Sequence, residues 1–268
     1  MVDVSPKKSL GQNFLKSKKA LSAMVSSAEI HPGDYVLEVG PGKGALTEVL
    51  LAAGARVVAC EIDERMIHYL SEKFSSFIES KQLILVPGDV LFSSWEKEIP
   101  QGVSYKLVAN LPYYVATHIL KFFLERKNSP TTAVLLVQKE VAERIVSRDK
   151  KSSILSLSVA LYGSAGWIVK VPARFFTPKP KVDSAIILIR DIGVEKIPSF
   201  RWGENFFTII KTAFSEKRKK ALKNLKKING DWDLWFTELD IPKNTRAEDI
   251  LFPLWKDLCD KYTFFAKK

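Results

Sequence analysis

At 268 residues, with 46% hydrophobic and 26% charged content, the chain has the composition of a folded protein with one large domain, alone or with a small appendage. No apolar run approaches membrane-spanning length, the start Met1-Val2-Asp3-Val4-Ser5-Pro6-Lys7-Lys8 has no hydrophobic signal region, and Cys60 and Cys259 make neither a disulfide framework nor a metal site. Membrane and disulfide-scaffold classes are thereby excluded and a cytoplasmic protein is expected, while a formal net charge of +11 and a pI near 9.5 point to a polyphosphate partner such as nucleic acid.

The first stretch is polar and basic, with Lys7, Lys8, Lys16, Lys18 and Lys19 around Leu10-Gly11-Gln12-Asn13-Phe14-Leu15. Phe14 and Leu15 are too apolar to stay in water without a reason, so this leader is expected to fold onto something. After the turn His31-Pro32-Gly33-Asp34, Tyr35 to Val39 reads as a buried strand. It runs into Gly40-Pro41-Gly42-Lys43-Gly44 and then a helical stretch, Ala45 to Leu51. A glycine loop between strand and helix lets a ligand approach the backbone, with the helix N-terminus behind it. The spacing G-x-G-x-G departs from the G-x-G-x-x-G of dinucleotide binders. With Glu38 before it, the loop has the form that methyltransferases use around the methionine part of S-adenosylmethionine.

Arg56 to Cys60 is a second strand, and Glu61 at its end lies ~20 residues past the first glycine, where a carboxylate can accept from both ribose hydroxyls. A helix is expected from Ile62-Asp63-Glu64-Arg65-Met66 to about Phe77, its first turn acidic as the dipole favours. Leu83 to Pro87 is a third strand, ended by Gly88-Asp89, and Asp89 can accept an adenine amine. Each carboxylate taken singly reads as a solvated strand end; three strand ends carrying Gly, Glu and Asp in this order are far less expected by accident.

The stretch that carries chemistry is Asn110-Leu111-Pro112-Tyr113, after the apolar run Leu107-Val108-Ala109. The Asn110 amide oxygen and the Leu111 carbonyl are two acceptors for the protons of an exocyclic amine. Pro112 pushes Leu111 out of the helical region and so aims that carbonyl, and Tyr113 supplies a face for a base to stack on. On these four residues alone, a strand followed by a proline turn with a core tyrosine is an equal alternative. Helices at Thr117–Leu124, Gln138–Val146 and Ile154–Leu161 and strands at Ala133–Val137, Trp167–Val171 and Ala185–Ile189 complete the pattern. His118 reads as a helix-surface residue rather than a base. In Phe175-Phe176-Thr177-Pro178-Lys179-Pro180 the prolines make a rigid turn, and Phe176 is either a second aromatic wall or a core residue.

Composition shifts between Arg190 and Pro198, which divides the chain into residues 1–190 and 191–268. Beyond the shift no strand pattern remains. Phe206, Ile210, Phe214, Ala221, Leu225 and Ile228 keep helical spacing, with Lys217, Arg218, Lys219, Lys220, Lys223, Lys226 and Lys227 on the outer face. A run so nearly of one sign points to a phosphate-backbone contact. Thr245 and Glu248 read as a capping box opening a last helix with Leu251, Leu254, Trp255, Leu258 and Tyr262 inward.

Jointly these stretches resemble the small-subunit (16S) ribosomal RNA adenine N6,N6-dimethyltransferases of bacteria, the KsgA type, within a wider group that includes the erythromycin-resistance methyltransferases. The likeness spans nearly the whole chain. It rests on Lys8 to Leu15, Glu38 to Gly42, Glu61-Ile62-Asp63, Gly88-Asp89, Asn110 to Tyr113, and Phe176 to Ser184. The resemblance implies an α/β fold, a Rossmann-like S-adenosylmethionine-dependent methyltransferase sheet with a small C-terminal all-helical domain. It implies Asn13, Leu15, Gly40, Gly42, Glu61, Asp89 and Asn110 around the cofactor, Asn110, Leu111, Pro112, Tyr113 and Phe176 around the target base, and no metal. It further implies dimethylation of two adjacent adenosines near the 3′ end of 16S rRNA in the small (30S) subunit or its precursor; apart from the resemblance, a monomer is expected, and the basic run gives Lys217, Arg218, Lys219, Lys220 and Lys223 as the expected RNA contacts of the helical tail. Methylation of large-subunit RNA, an RNA-binding assembly factor without turnover, and a nicotinamide-dependent oxidoreductase stand as alternatives, the last disfavoured by the glycine spacing.

Overall fold

Runs of Val, Ile, Leu and Ala without polar alternation suit strands buried on both faces, and such runs build the central sheet. The structure, a computed structural model, describes residues 4–147, 151–216 and 218–266. In chain order the elements are β1 (Phe14–Leu15), α1 (Lys18–Ser27), β2 (Tyr35–Val39), α2 (Ala45–Ala52), β3 (Arg56–Glu61), α3 (Glu64–Lys73), α4 (Ser75–Glu79), β4 (Leu83–Pro87), β5 (Tyr105–Asn110), α5 (Ala116–Leu124), β6 (Thr132–Gln138), α6 (Lys139–Ile145), α7 (Ile154–Tyr162), β7 (Ser164–Val171), β8 (Phe176–Thr177) and β9 (Ser184–Arg190). The helical tail follows as α8 (Phe200–Ala213), α9 (Ala221–Leu225), α10 (Trp232–Glu238) and α11 (Phe252–Phe265).

The large sheet has the order β4-β3-β2-β5-β6-β9-β7, parallel except for β9, which runs against both of its neighbours. The chain proceeds outward from β2 through β3 to β4, then returns to pair β5 on the other side of β2. That reversal is a topological switch point, where the carboxyl ends of neighbouring strands leave a crevice. The registers Val39↔Cys60, Val39↔Ala109 and Glu61↔Pro87 bring Gly40, Glu61, Gly88 and Asn110 out of the sheet side by side. β1 and β8 form a separate two-stranded ladder, Phe14↔Thr177 and Leu15↔Phe176, that anchors the leader.

Two compact units result, Met1–Ala142 with Gly163–Gly193, and Glu143–Tyr162 with Val194–Lys268. The chain passes between these units at three points, after Ala142, Tyr162 and Gly193, whereas the composition of the sequence marks a single boundary between residues 190 and 198. Contacts distant in sequence tie the inserted segment to the tail: Ser152 N–H donates to Glu248 O (2.6 Å), Ser152 Oγ to Ile250 O (3.1 Å), and Lys151 pairs with Glu248 (2.7 Å).

Three expected helices differ. The helix expected from residue 62 to about Phe77 is interrupted at Phe74 (φ −116°, ψ 27°), because that buried ring turns under Gly44, where an added Cβ would lie 2.4 Å from it. The continuous basic helix is instead α8 and α9 with a turn between them. Buried Asn224 fixes that turn by donating to Ala213 O (2.7 Å) and Glu216 O (3.2 Å) at the end of α8. Thr245 and Glu248 do not cap the last helix. Thr245 precedes a 3-10 turn, Ala247–Asp249, that contains Glu248, and α11 starts later with a proline in its first turn, leaving Leu251 exposed instead of inward. Trp255 and Leu258 are buried as the spacing predicts.

Candidate functional site

The four strand ends line a cleft of about 880 Å³, open solvent included, whose walls take in residues 10–14 of the leader, the Gly40 loop, the ends of β3 and β4, and residues 110–115. Of the expected site residues, Asn13, Gly40, Gly42, Glu61, Asp89, Asn110, Leu111, Pro112 and Tyr113 all lie on it. Leu15 and Phe176 do not. Successive strand residues face opposite ways, so with Phe14 on the cleft Leu15 points into the core, and its cross-strand partner Phe176 is buried there too. In this conformation Phe176 backs the site instead of offering a face to a base. His118 is exposed on α5, as the sequence suggests.

The glycine loop is held from below. Glu61 is buried and accepts from Gly42 N–H through Oε2 (3.0 Å) and from Asp63 N–H through Oε1 (2.9 Å), while burial pushes its pKa up. Glu38 is also buried, accepts from Thr47 Oγ1 (2.7 Å), and is pushed up to about 8, chiefly by desolvation. Gly40 (φ +67°) has nothing within 4 Å of where a Cβ would stand, so its backbone is open to a ligand. Gly42 (φ +57°) is closed on the same test: an added Cβ would meet the Phe14 ring at 2.7 Å, and Lys43 Nζ lies 5.2 Å from the centre of that ring. Asp89 Oδ1 takes Leu91 N–H (3.0 Å), and its other oxygen accepts nothing among the described residues.

The leader is latched by contacts the sequence reading missed. Gln12 Nε2 donates to Asp63 Oδ2 (3.0 Å), Gln12 Oε1 accepts Lys7 N–H (2.8 Å), and Arg65 donates to Asp63 (2.7 Å) and to Ser5 O (3.3 Å). The Arg65 guanidinium is the main reason the buried Asp63 carboxyl is held down at about 2. Glutamine beside an acidic helix cap is too common a pair for spacing to flag.

Asn110 Nδ2 donates to Asn13 O (3.1 Å), which spends the amide nitrogen on the leader and leaves Oδ1, on the cleft wall, without a partner among the described residues. Leu111 N–H reaches back to Leu136 O (3.2 Å), whereas its own carbonyl accepts nothing among the described residues. Tyr113 is half-buried, its hydroxyl 2.7 Å from Ser184 Oγ, and burial raises its pKa. The cleft thus combines an open backbone cradle, buried and rim carboxylates, and two vacant acceptors beside an aromatic face. No cluster of His, Cys, Asp and Glu able to hold a metal occurs among the described residues.

In the second unit Arg218, Lys219, Lys220 and Lys223 are exposed and make no ion pair among the described residues, while Lys217 lies outside them. They sit on the α8–α9 turn and the start of α9, not on one long helix face. A bridge between Lys220 and Arg246 adds a further exposed cation that the sequence spacing does not reveal. Among the described residues no helix is long and apolar enough to cross a membrane.

Two solved structures share the fold. A 23S rRNA methyltransferase, ErmE, superposes with a TM-score of 0.76 at 24% identity, covering 92% of this chain and 98% of its own. A dimethyladenosine transferase from Plasmodium falciparum gives 0.75 at 23%, covering 92% and 96%. Sequence carries the relationship further. The ribosomal RNA small subunit methyltransferase A of Dehalococcoides mccartyi (strain CBDB1) is 39% identical over 265 residues, 96% of this chain and 88% of that protein. The protein of the same name from Fusobacterium nucleatum is 37% identical over 249 residues, 91% and 92%. Residues 4–263 match the family described as ribosomal RNA adenine dimethylase, and with relatives at 37–39% identity over more than nine-tenths of its length this chain belongs to that family.

Proposed function

We propose that the chain uses S-adenosylmethionine to dimethylate the N6 amines of two adjacent adenosines near the 3′ end of 16S rRNA, in the small ribosomal subunit or its precursor, acting as a cytoplasmic monomer in subunit maturation. The observation that carries the reading is the Asn110 amide, its nitrogen committed to Asn13 and its oxygen open to the cleft next to the free Leu111 carbonyl. The site suits the cofactor: the bare Gly40 backbone for its methionine end, Glu61 for ribose hydroxyls, and the free oxygen of Asp89 for the adenine amine. When bound, that group supplies an already activated sulfonium methyl.

What the protein adds is position and electrostatics. An adenine amine is a poor nucleophile because its lone pair is shared with the ring. Two acceptors at Asn110 and Leu111 favour a pyramidal amine and disperse the charge that develops on it. The base must leave its stack to reach them, and the Tyr113 ring, steadied by Ser184, offsets part of that cost. After one methyl the amine keeps a single proton, so the second transfer uses one acceptor and a rotated amine. Proton loss goes to solvent. In the second unit, Arg218, Lys219, Lys220 and Lys223, with Lys217 by sequence, are the proposed phosphate contacts.

The test is nucleoside mass spectrometry of undermethylated small subunits and of naked large-subunit RNA, each incubated with the protein and S-adenosylmethionine. N6-dimethyladenosine is expected from the small subunits. Its appearance only in the large-subunit RNA, or in neither, would overturn the assignment.

A further inference from the structure

Three aromatic residues line the cleft, and two have evident duties. Phe14 packs on Gly42, and Tyr113 is tethered to Ser184. The third, Tyr114, is 65% exposed, and its hydroxyl and ring have no hydrogen-bond, ring or cation partner among the described residues. An isolated exposed tyrosine on a turn is ordinary. This one is not loose, because its Cδ1–Cε1 edge lies against Gly11, where an added Cβ would stand 3.1 Å from both atoms and where φ is +61°. The leader therefore braces one edge of the ring and leaves most of it open.

The turn that places it is short. Val115 N–H closes on Pro112 O (3.2 Å), so Tyr113 and Tyr114 leave consecutive positions of one turn, the first half-buried and the second at the rim. Taking a base out of its stack exposes the faces of its neighbours as well as its own. Aromatic rings recover such loss for any base, because every base has a π-face.

We infer that Tyr114 is a second stacking platform, holding a nucleotide adjacent to the one that enters the cleft, and so acts as an RNA-positioning residue. The inference rests on the proposed methylation of rRNA. It differs in location and duty from Tyr113, which faces the reacting base.

The test uses the full chain with undermethylated small subunits and tritium-labelled S-adenosylmethionine. For Tyr114→Ala, KM for the subunits rises on the order of tenfold, the stacking of one base. The dissociation constant for S-adenosylmethionine, measured without RNA, stays at the wild-type value and also reports that the variant is folded. Tyr114→Phe and Tyr114→Trp, which keep a ring, bring KM back toward wild type. In subunits reconstituted with an abasic nucleotide beside the methylated adenosine, the difference between Tyr114→Ala and wild type disappears. The inference is overturned by an unchanged KM for Tyr114→Ala, by a loss confined to cofactor affinity, which would make the ring only a brace for the leader, or by a difference that persists beside the abasic site. No methyl transfer by the wild-type protein overturns the parent reaction and this inference with it, whereas normal wild-type transfer with any of the other results overturns this inference alone.

Discussion

An amide side chain is two-faced, and at Asn110 the fold has decided which face the cleft sees: the Asn13 carbonyl takes the nitrogen, so an acceptor is presented. Asn110→Ala removes that acceptor and a leader contact together. Turnover should fall by about two to three orders of magnitude, the usual cost of one polar group aimed at developing charge. Cofactor affinity should fall less, so single-turnover rates measured beside calorimetric titration separate the two effects. Tyr113→Ala should weaken rRNA use by roughly 1–3 kcal/mol, the worth of one stacked base. An equal loss on RNA lacking the target base would speak against stacking. Glu38 gives a pH signature. Its carboxyl is raised from an ordinary 4.5 to about 8 in the folded protein, so the stability linked to its proton is complete below pH 4.5 and is lost as pH climbs toward 8. Glu38→Gln keeps the shape and an acceptor for Thr47 but cannot ionise. It should therefore melt higher than wild type at pH 8 and alike at pH 4, and a gap that widened toward acid would contradict the desolvation argument.

Among the elements, the strands were legible because nothing but a two-faced burial explains runs such as Val57-Val58-Ala59-Cys60, and their ends were legible because Gly, Glu, Asp and Asn stand where such runs stop. The breaks were not. Phe74 abandons helical dihedrals for the sake of Gly44, some thirty positions earlier, and α8 ends where Asn224 caps it from the following helix. Both causes are tertiary, and a window of sequence contains neither. The β1–β8 ladder is equally hidden, since two-residue strands show no period; that is why Leu15 and Phe176 were expected on the cleft and are found buried against each other. One element permits a sharp check. Gly42→Ala combines a left-handed backbone, costing about 1–2 kcal/mol for a residue with a Cβ, with an overlap on Phe14. It should loosen the leader and lower cofactor affinity more than it lowers the melting temperature, whereas Gly33→Ala, at an open turn, should change affinity little.

For the molecule as a whole, the excess of basic residues is unevenly neutralised. Lys226 and Lys243 share Asp233, Lys227 takes Glu216 and Lys261 takes Glu238, yet Arg218, Lys219, Lys220 and Lys223 are left without ion pairs among the described residues. The run was visible in the sequence; which members are spent internally was not, because pairing with Asp233 or Glu216 depends on how the turns fold. Replacing the four unpaired residues by Gln should reduce the slope of log affinity for rRNA against log salt by about 3, at ~0.7–0.9 per phosphate contact, while leaving the cofactor dissociation constant unchanged. An unaltered slope would remove these residues from the RNA footprint. The ladder between Phe14–Leu15 and Phe176–Thr177 also imposes a timetable. During synthesis the leader emerges first, yet β8, its strand partner among the described residues, is translated more than half a chain later. A nascent polypeptide halted ahead of Phe176 would carry Gly40 and Asn110 on a sheet still lacking β9, with the leader held only by its Asp63, Arg65 and Asn110 contacts, so high-affinity cofactor capture should begin only once β8 and β9 have cleared the ribosome.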